Sequence, residues 1–210
     1  SGGGVVEVFV IGDLSKMSEA TRWNYEVAVK MGIPVKNVAS ESELPVLEDS
    51  LKRSDVVVVG LIGIGLKGEV RGLAKLVIAL VNSVGKPVVS VDIPSGIDPD
   101  TGLVRGVAVK STVTVALGLL KFGNVLYPGY SYCGKLYASM LSYPRNLVES
   151  VEAELNKPVP LPERVKWGHK GTFGKFLAVA GSKYYYGAPH YVSYSFLKVG
   201  GGYSRLAAPK

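Results

Sequence analysis

Short β-branched runs and longer amphipathic stretches alternate along this chain. Val5–Gly12 (VVEVFVIG) is a β-branched run closed by glycine, the pattern of a buried parallel strand. Ser15 and Ser18 then offer two helix N-caps. Met17, Ala20, Val27, Ala28 and Met31 recur at helical spacing until Gly32 and Pro34 end the pattern. Ser42–Lys52 predicts a short helix and Asp55–Gly60 (DVVVVG) a strand. A glycine-rich turn follows: Gly63, Ile64, Gly65, Leu66, Lys67, Gly68. Gly72–Ser83 reads as a helix ended by Gly85 and Pro87. Further strands are predicted over Pro87–Ile93, Ser111–Leu117 and, shorter, Lys135–Met140.

Strands alternating with helices indicate an α/β fold, a parallel sheet covered on both faces with right-handed crossovers. Ligands of such sheets bind outside the carboxyl ends of the strands. Gly63–Gly68 and Asp92–Gly96 each follow a predicted strand. Both therefore belong to one end of the sheet, and two distant segments become one candidate site.

The pattern breaks at Asn156–Arg164, a proline-rich stretch that suits an extended linker. Beyond it, Phe176–Ser182 predicts a strand, Tyr184–Gly187 a loop, Ala188–Gly200 a helix and Tyr203–Ala208 another strand. So short a C-terminal part is too small for an α/β domain with its own core. It reads as the start of a domain. The expected division is 1–155, a linker at 156–164, and 165–210.

Composition narrows the classes. Hydrophobic residues make up 47% of the 210, enough for a sizeable core. The net charge of +7 favours anionic partners. Its lysines and arginines do not cluster, and no platform of interleaved arginine and aromatic residues is present, so a small anionic ligand is expected rather than nucleic acid. Cys133 is the only cysteine, which rules out an intrachain disulfide. Lys67, Glu69, Arg71 and Lys75 interrupt the apolar runs before they reach the roughly 20 residues of a membrane span. A cytoplasmic protein without a membrane partner is the expectation. His169 and His190 have no second ligand at metal-site spacing.

The chemistry concentrates near the first two turns. Glycines between a strand and a helix let backbone approach a phosphate, although a plain tight turn has the same composition. Asp92 ends a strand and precedes Pro94, Ser95 and Gly96. A carboxylate held there suits general acid–base work or contact with a polar ligand. Ser95 brings a hydroxyl oxygen that a cation or ligand could use. Asp98 and Asp100 fit ordinary turn chemistry. Lys121, after the strand Ser111–Leu117, either faces the same end of the sheet or is a solvated loop lysine.

Taken together, VDIPSGIDPDTG at Val91–Gly102, GIGLKGEVRG at Gly63–Gly72, TVALGLLKFG at Thr114–Gly123 and Tyr127-Pro128-Gly129 resemble the NAD(P)H-hydrate epimerase domain. A second set resembles the opening of the ADP-dependent NAD(P)H-hydrate dehydratase domain. It comprises Gly168–Gly174, Val179–Ser182, Tyr186–Pro189 and Lys198–Gly202. Their tandem order resembles bifunctional nicotinamide-nucleotide repair enzymes.

The resemblance implies a three-layer Rossmann-like parallel sheet, followed by the beginning of a ribokinase-like α/β domain. It implies epimerisation of the R and S forms of NADHX and NADPHX, the hydrated nicotinamide cofactors. In the full-length protein it implies ADP-dependent dehydration of the S form, with magnesium, to NAD(P)H. By the same resemblance Asp92 is catalytic and contacts the hydrate, as do Gly63, Ile64, Gly65, Leu66, Lys67 and Gly68. Ala188 contacts the hydrate in the dehydratase half, Ser95 holds a potassium ion, and the protein is a homo-oligomer.

The chain departs from the family pattern in four places. Val59 stands where the family carries an aspartate that ligates potassium, and Ile64 where it carries threonine. An Asn-Asn-Gly-Gly-Asp-Gly loop before Val5 and the dehydratase's later Gly-Asp motif are not in the sequence. The chain therefore reads as a fragment that does not dehydrate by itself. Two other readings compete. One is a catalytically degenerate nucleotide-binding module on the same fold; the other is a ribokinase-like small-molecule kinase, for which the Gly-Ala-Gly-Asp-type phosphate segment is missing.

Overall fold

Among the described residues every strand pairs in parallel. The computed structural model describes residues 3–149, 151, 153–156, 158–161 and 163–209. They fall into two compact units, residues 1–151 and 152–210.

In the first unit, β1 (Val8–Ile11) pairs with β2 (Val35–Val38), joined through α1 (Glu19–Lys30). Ser18, not Ser15, caps α1: its hydroxyl accepts the Thr21 N–H. Asp13 caps a 3-10 turn, Leu14–Lys16, through the Ser15 N–H. β2 is absent from the sequence reading. Its two apolar residues, Val35 and Val38, stand three apart and do not alternate, so no strand period registers.

α2 (Leu44–Arg53) follows a short 3-10 turn and leads into β3 (Val57–Val59). α3 (Gly72–Ser83), β4 (Val88–Val91) and β5 (Val113–Leu117) come next. After α4 (Phe122–Val125) and a 3-10 turn at Gly129–Tyr132 comes β6 (Lys135–Ser139), and α5 (Arg145–Val148) closes the unit. Four strands form one sheet in the order β3-β4-β5-β6, all parallel.

The core forms where apolar helix stripes meet one face of this sheet. Leu47 and Leu51 of α2 and Val77, Ile78 and Val81 of α3 pack with Val57, Val59 and Val88. Each such burial is worth about 1.5–3 kcal/mol relative to exposure. Cover on the sheet's other face is uneven: Val89, Val113, Val115 and Leu117 are partly buried there, and β3 is less covered. Val57 and Val59 are buried, whereas Val58 between them is 65% exposed. Side chains alternate along a strand, so an all-valine run reads as two-sided burial even when one face alone is packed. No residue of α1 is buried.

The second unit contains β7 (Lys175–Val179), α6 (Gly187–Lys198) and β8 (Tyr203–Ala207), with β7 and β8 parallel. Phe176 stacks on Phe196 with ring centroids 5.1 Å apart. Among its described residues only Ala178 and Pro189 are buried. Residues 158–161 adopt no regular structure.

Candidate functional site

β4 ends at Val91, and the chain turns sharply at Asp92, whose φ is +70°. A non-glycine residue in this left-handed region costs about 1–2 kcal/mol, least for Asp and Asn. Its surroundings hold it there. The Asp92 N–H donates to Val115 O at 2.8 Å. On the side chain, Oδ1 accepts the Leu117 N–H at 2.9 Å and is ion-paired with Lys121 Nζ. Lys121 Nζ also donates to Leu117 O at 3.0 Å. Both side chains are 20% exposed. Among the described residues, no protein group bonds the other carboxylate oxygen, Oδ2.

Asn124 closes this arrangement from the first turn of α4. Its Oδ1 accepts the Lys121 N–H at 2.9 Å and its Nδ2 donates to Asp92 O at 3.2 Å. The residue is fully buried, with both ends of its amide used. Of the alternatives left open for Lys121, the structure takes the one that faces Asp92. Asn124, Arg105 and the Leu117 N–H escaped the sequence reading. For Asn124 a signal existed, its place three residues after a helix N-cap, where a side chain reaches back to the cap N–H. A lysine at the cap hides that pattern.

Residues 93–99 are all buried. Gly96, at φ +101°, permits this: a Cβ there would lie 2.0 Å from Val107 O. Ser95 is 1% exposed, and its Oγ accepts the Ile62 N–H at 2.9 Å. That bond ties the Gly63–Gly68 turn to the aspartate turn, so the two segments do meet at the carboxyl ends of β3 and β4. Within the glycine turn, Leu66 N–H donates to Gly63 O at 3.2 Å, and Gly63, Ile64, Gly65, Lys67 and Gly68 are exposed. Ile64 is 63% exposed.

Asp98 is structural, as its turn composition suggested. Its Oδ2 pairs with Arg105, and its Oδ1 accepts the Asp100 and Thr101 N–H groups at 3.1 and 2.9 Å. The Arg105 guanidinium first, then the Thr101 bonds, hold its carboxyl well below the ordinary carboxylate range. Arg105 O also accepts the Val70 N–H at 3.0 Å, anchoring the far end of the glycine turn. Asp100 is exposed. Cys133 is buried, and that burial pushes its thiol pKa up, away from reactivity.

The side chain at position 59 cannot ligate potassium, whereas a hydroxyl oxygen such as that of Ser95 keeps a second lone pair after accepting one N–H. Val59 is 7% exposed in the hydrophobic core and carries no oxygen. Ser95 Oγ already holds the Ile62 N–H. Among the described residues no group of three or more His, Cys, Asp or Glu side chains gathers. Ala188 is exposed in the first turn of α6, in the second unit. No helix among the described residues is long and apolar enough to cross a membrane.

Three comparisons with known proteins bear on this arrangement. Residues 1–123 match the family model described as YjeF-related protein N-terminus. The chain is 48% identical over 210 residues to the bifunctional NAD(P)H-hydrate repair enzyme Nnr of Thermofilum pendens, covering 99% of this chain and 40% of that protein. Against the enzyme of the same name from Moorella thermoacetica it is 34% identical over 216 residues, again covering 99% and 40%. The chain thus spans about 40% of the length of the curated relatives it matches. A crystal structure of the yeast protein YNL200c superposes with a TM-score of 0.57 at 20% identity, covering 70% of this chain and 60% of that one. That likeness supports the Rossmann-like parallel sheet as the fold. With the family model spanning more than half of its residues, the chain belongs to the YjeF-related protein N-terminus family.

Proposed function

We propose that residues 1–155 act as an NAD(P)H-hydrate epimerase, interconverting R- and S-NADHX and R- and S-NADPHX. The observation that carries this reading is the Asp92 carboxylate, with Oδ1 held by Leu117 and Lys121 and, among the described residues, no partner on Oδ2. It stands at a strand's carboxyl end beside an exposed glycine turn. Inverting a hydroxylated ring carbon requires its C–O bond or its ring C–N bond to break and re-form, with a proton passed to the leaving heteroatom and recovered when the bond closes on the other face. A carboxylate with one fixed oxygen and one open oxygen is suited to pass and recover that proton. Gly63, Ile64, Gly65, Leu66, Lys67 and Gly68 line the approach and contact the nucleotide, as a glycine turn ahead of a helix lets backbone come close to a phosphate. The relatives' being NAD(P)H-hydrate repair enzymes supports the substrate class.

Potassium enters no step of this reading. In the longer protein, residues 165–210 open a dehydratase domain that uses ADP and magnesium, with Ala188 contacting the hydrate. A cytoplasmic location and a homo-oligomeric assembly complete the proposal.

The test mixes the full-length protein with purified R-NADHX and follows S-NADHX by chromatography. Interconversion faster than the spontaneous rate is the expected result. A rate equal to the spontaneous one would sink the enzyme reading. A second reading, a binding module without turnover, is favoured by Val59 and by the exposed Ile64. It predicts saturable NADHX binding with no interconversion.

A further inference from the structure

We infer that Lys121 is a positioning residue for Asp92, fixing which carboxylate oxygen works and where it points. This rests on the epimerase reading of the site and adds a residue and a role to it.

A carboxylate on a short side chain can rotate about its last bond and exchange its two oxygens. Here that exchange is blocked. Oδ1 takes one N–H from the backbone of β5 and one from a cation, so rotation would break both bonds at once. The cation is itself fixed. Lys121 Nζ is shared with Leu117 O, so the lysine head is held to both partners of the same peptide turn. Its backbone is fixed by Asn124, which bonds the Lys121 N–H and Asp92 O with the two ends of one buried amide. The ring Asp92–Lys121–Asn124–Asp92 therefore closes without solvent. α4 is pressed onto the aspartate turn as well: a Cβ on Gly123 would lie 2.4 Å from Asp98 O. Charge-assisted bonds are roughly twice as strong as neutral ones, which makes the lysine the dominant restraint on Oδ1. Oδ2 is left as the oxygen that meets the ligand.

Lysine also has three N–H donors, of which two are used by Asp92 and Leu117. That count matches an orienting role through Asp92, in which the ammonium need not touch the ligand.

The test uses the full-length protein with Lys121→Met, Lys121→Arg and Asn124→Ala. For Lys121→Met, kcat for R-to-S interconversion is expected to fall about 100-fold with KM changed less than about threefold, since an orienting defect removes transition-state stabilisation. In a further variant, Lys121→Ala, whose truncation leaves room, added ethylammonium should restore roughly tenfold of the loss by refilling the cation's place, and Lys121→Arg should retain roughly a tenth of the rate. An unchanged kcat in Lys121→Met overturns the inference, as does a loss that neither amine nor arginine recovers. Asn124→Ala should reproduce the kcat loss more weakly, without amine rescue; a larger loss than Lys121→Met would also count against it.

A crystal structure of Lys121→Met gives a readout independent of turnover. The Asp92 carboxylate is expected to lose its single orientation and release the Leu117 N–H. An unmoved carboxylate overturns the positioning role even in a protein that proves inactive. Wild-type protein without interconversion, by contrast, removes the epimerase reading and leaves the carboxylate orientation to decide this one.

Discussion

The aspartate turn at residues 92–99 and the tyrosine turn at residues 182–188 both follow a parallel strand and precede apolar chain, yet they are built in opposite ways. In the first, residues 93–99 are buried and the side chains of Asp92, Ser95 and Asp98 each accept bonds from other segments or the turn itself. In the second, every residue is exposed, with Tyr184 at 78%. Its backbone bonds are local, between Ser182 and Tyr185. Chemistry that depends on a fixed carboxylate needs the first kind of frame. A turn of the second kind presents surface to whatever meets it, but orders little by itself. Two turns that each follow a parallel strand therefore carry different functional weight.

The sharpest way to break this comparison is at Asp92. Asp92→Asn keeps the volume and most of the hydrogen bonds but removes the base. Interconversion in the full-length protein should fall about 10²- to 10⁴-fold while the thermal midpoint moves little. An unchanged rate would take Asp92 out of the mechanism.

Gly96→Ala attacks the frame rather than the chemistry. With φ at +101° and Val107 O 2.0 Å from the new Cβ, the turn must shift. A loss of about 3 kcal/mol or more is expected, read by urea denaturation. An unperturbed midpoint would show that residues 93–99 yield more easily than their burial suggests.

The acid limb of stability tests the Asp98–Arg105 pair. A folded-state pKa held below the ordinary 3.8 contributes stability above that value and loses it as pH falls from about 3.8 through the depressed pKa. Asp98→Asn should lower the denaturation midpoint at pH 7 and flatten its decline between pH 4 and pH 2, as followed by circular dichroism. A decline as steep as in the wild type would place the acid sensitivity elsewhere. Smallest of all, Tyr184→Ala should change stability by no more than about 0.5 kcal/mol, because an exposed turn residue has little to lose. A larger loss would mean that the tyrosine turn is framed after all.

How much of this was legible in the sequence differs from element to element. The helix over Gly72–Ser83 was readable to its bounds, because the apolar stripe and the following glycine and proline agree. β2 was not, because four residues with two apolar positions carry too little periodicity. The site was half legible. Asp92, Ser95 and the glycine turn stood out through their place after strands and through the family resemblance. Asn124 and Arg105 did not, since an asparagine and an arginine in loops look like solvated polar residues until their partners are known.

The chain's own order of residues determined the alternation of strands and helices, the family, and the presence of a carboxylate after β4. Those properties are local, or are carried by contiguous motifs. Only the tertiary structure decided that Lys121 faces Asp92, that Ser95 serves the backbone of the glycine turn, and that Val58 looks outward from an all-valine strand. These pairings join residues 29 and 33 positions apart. They depend on the register between β4 and its neighbours, which no local pattern specifies.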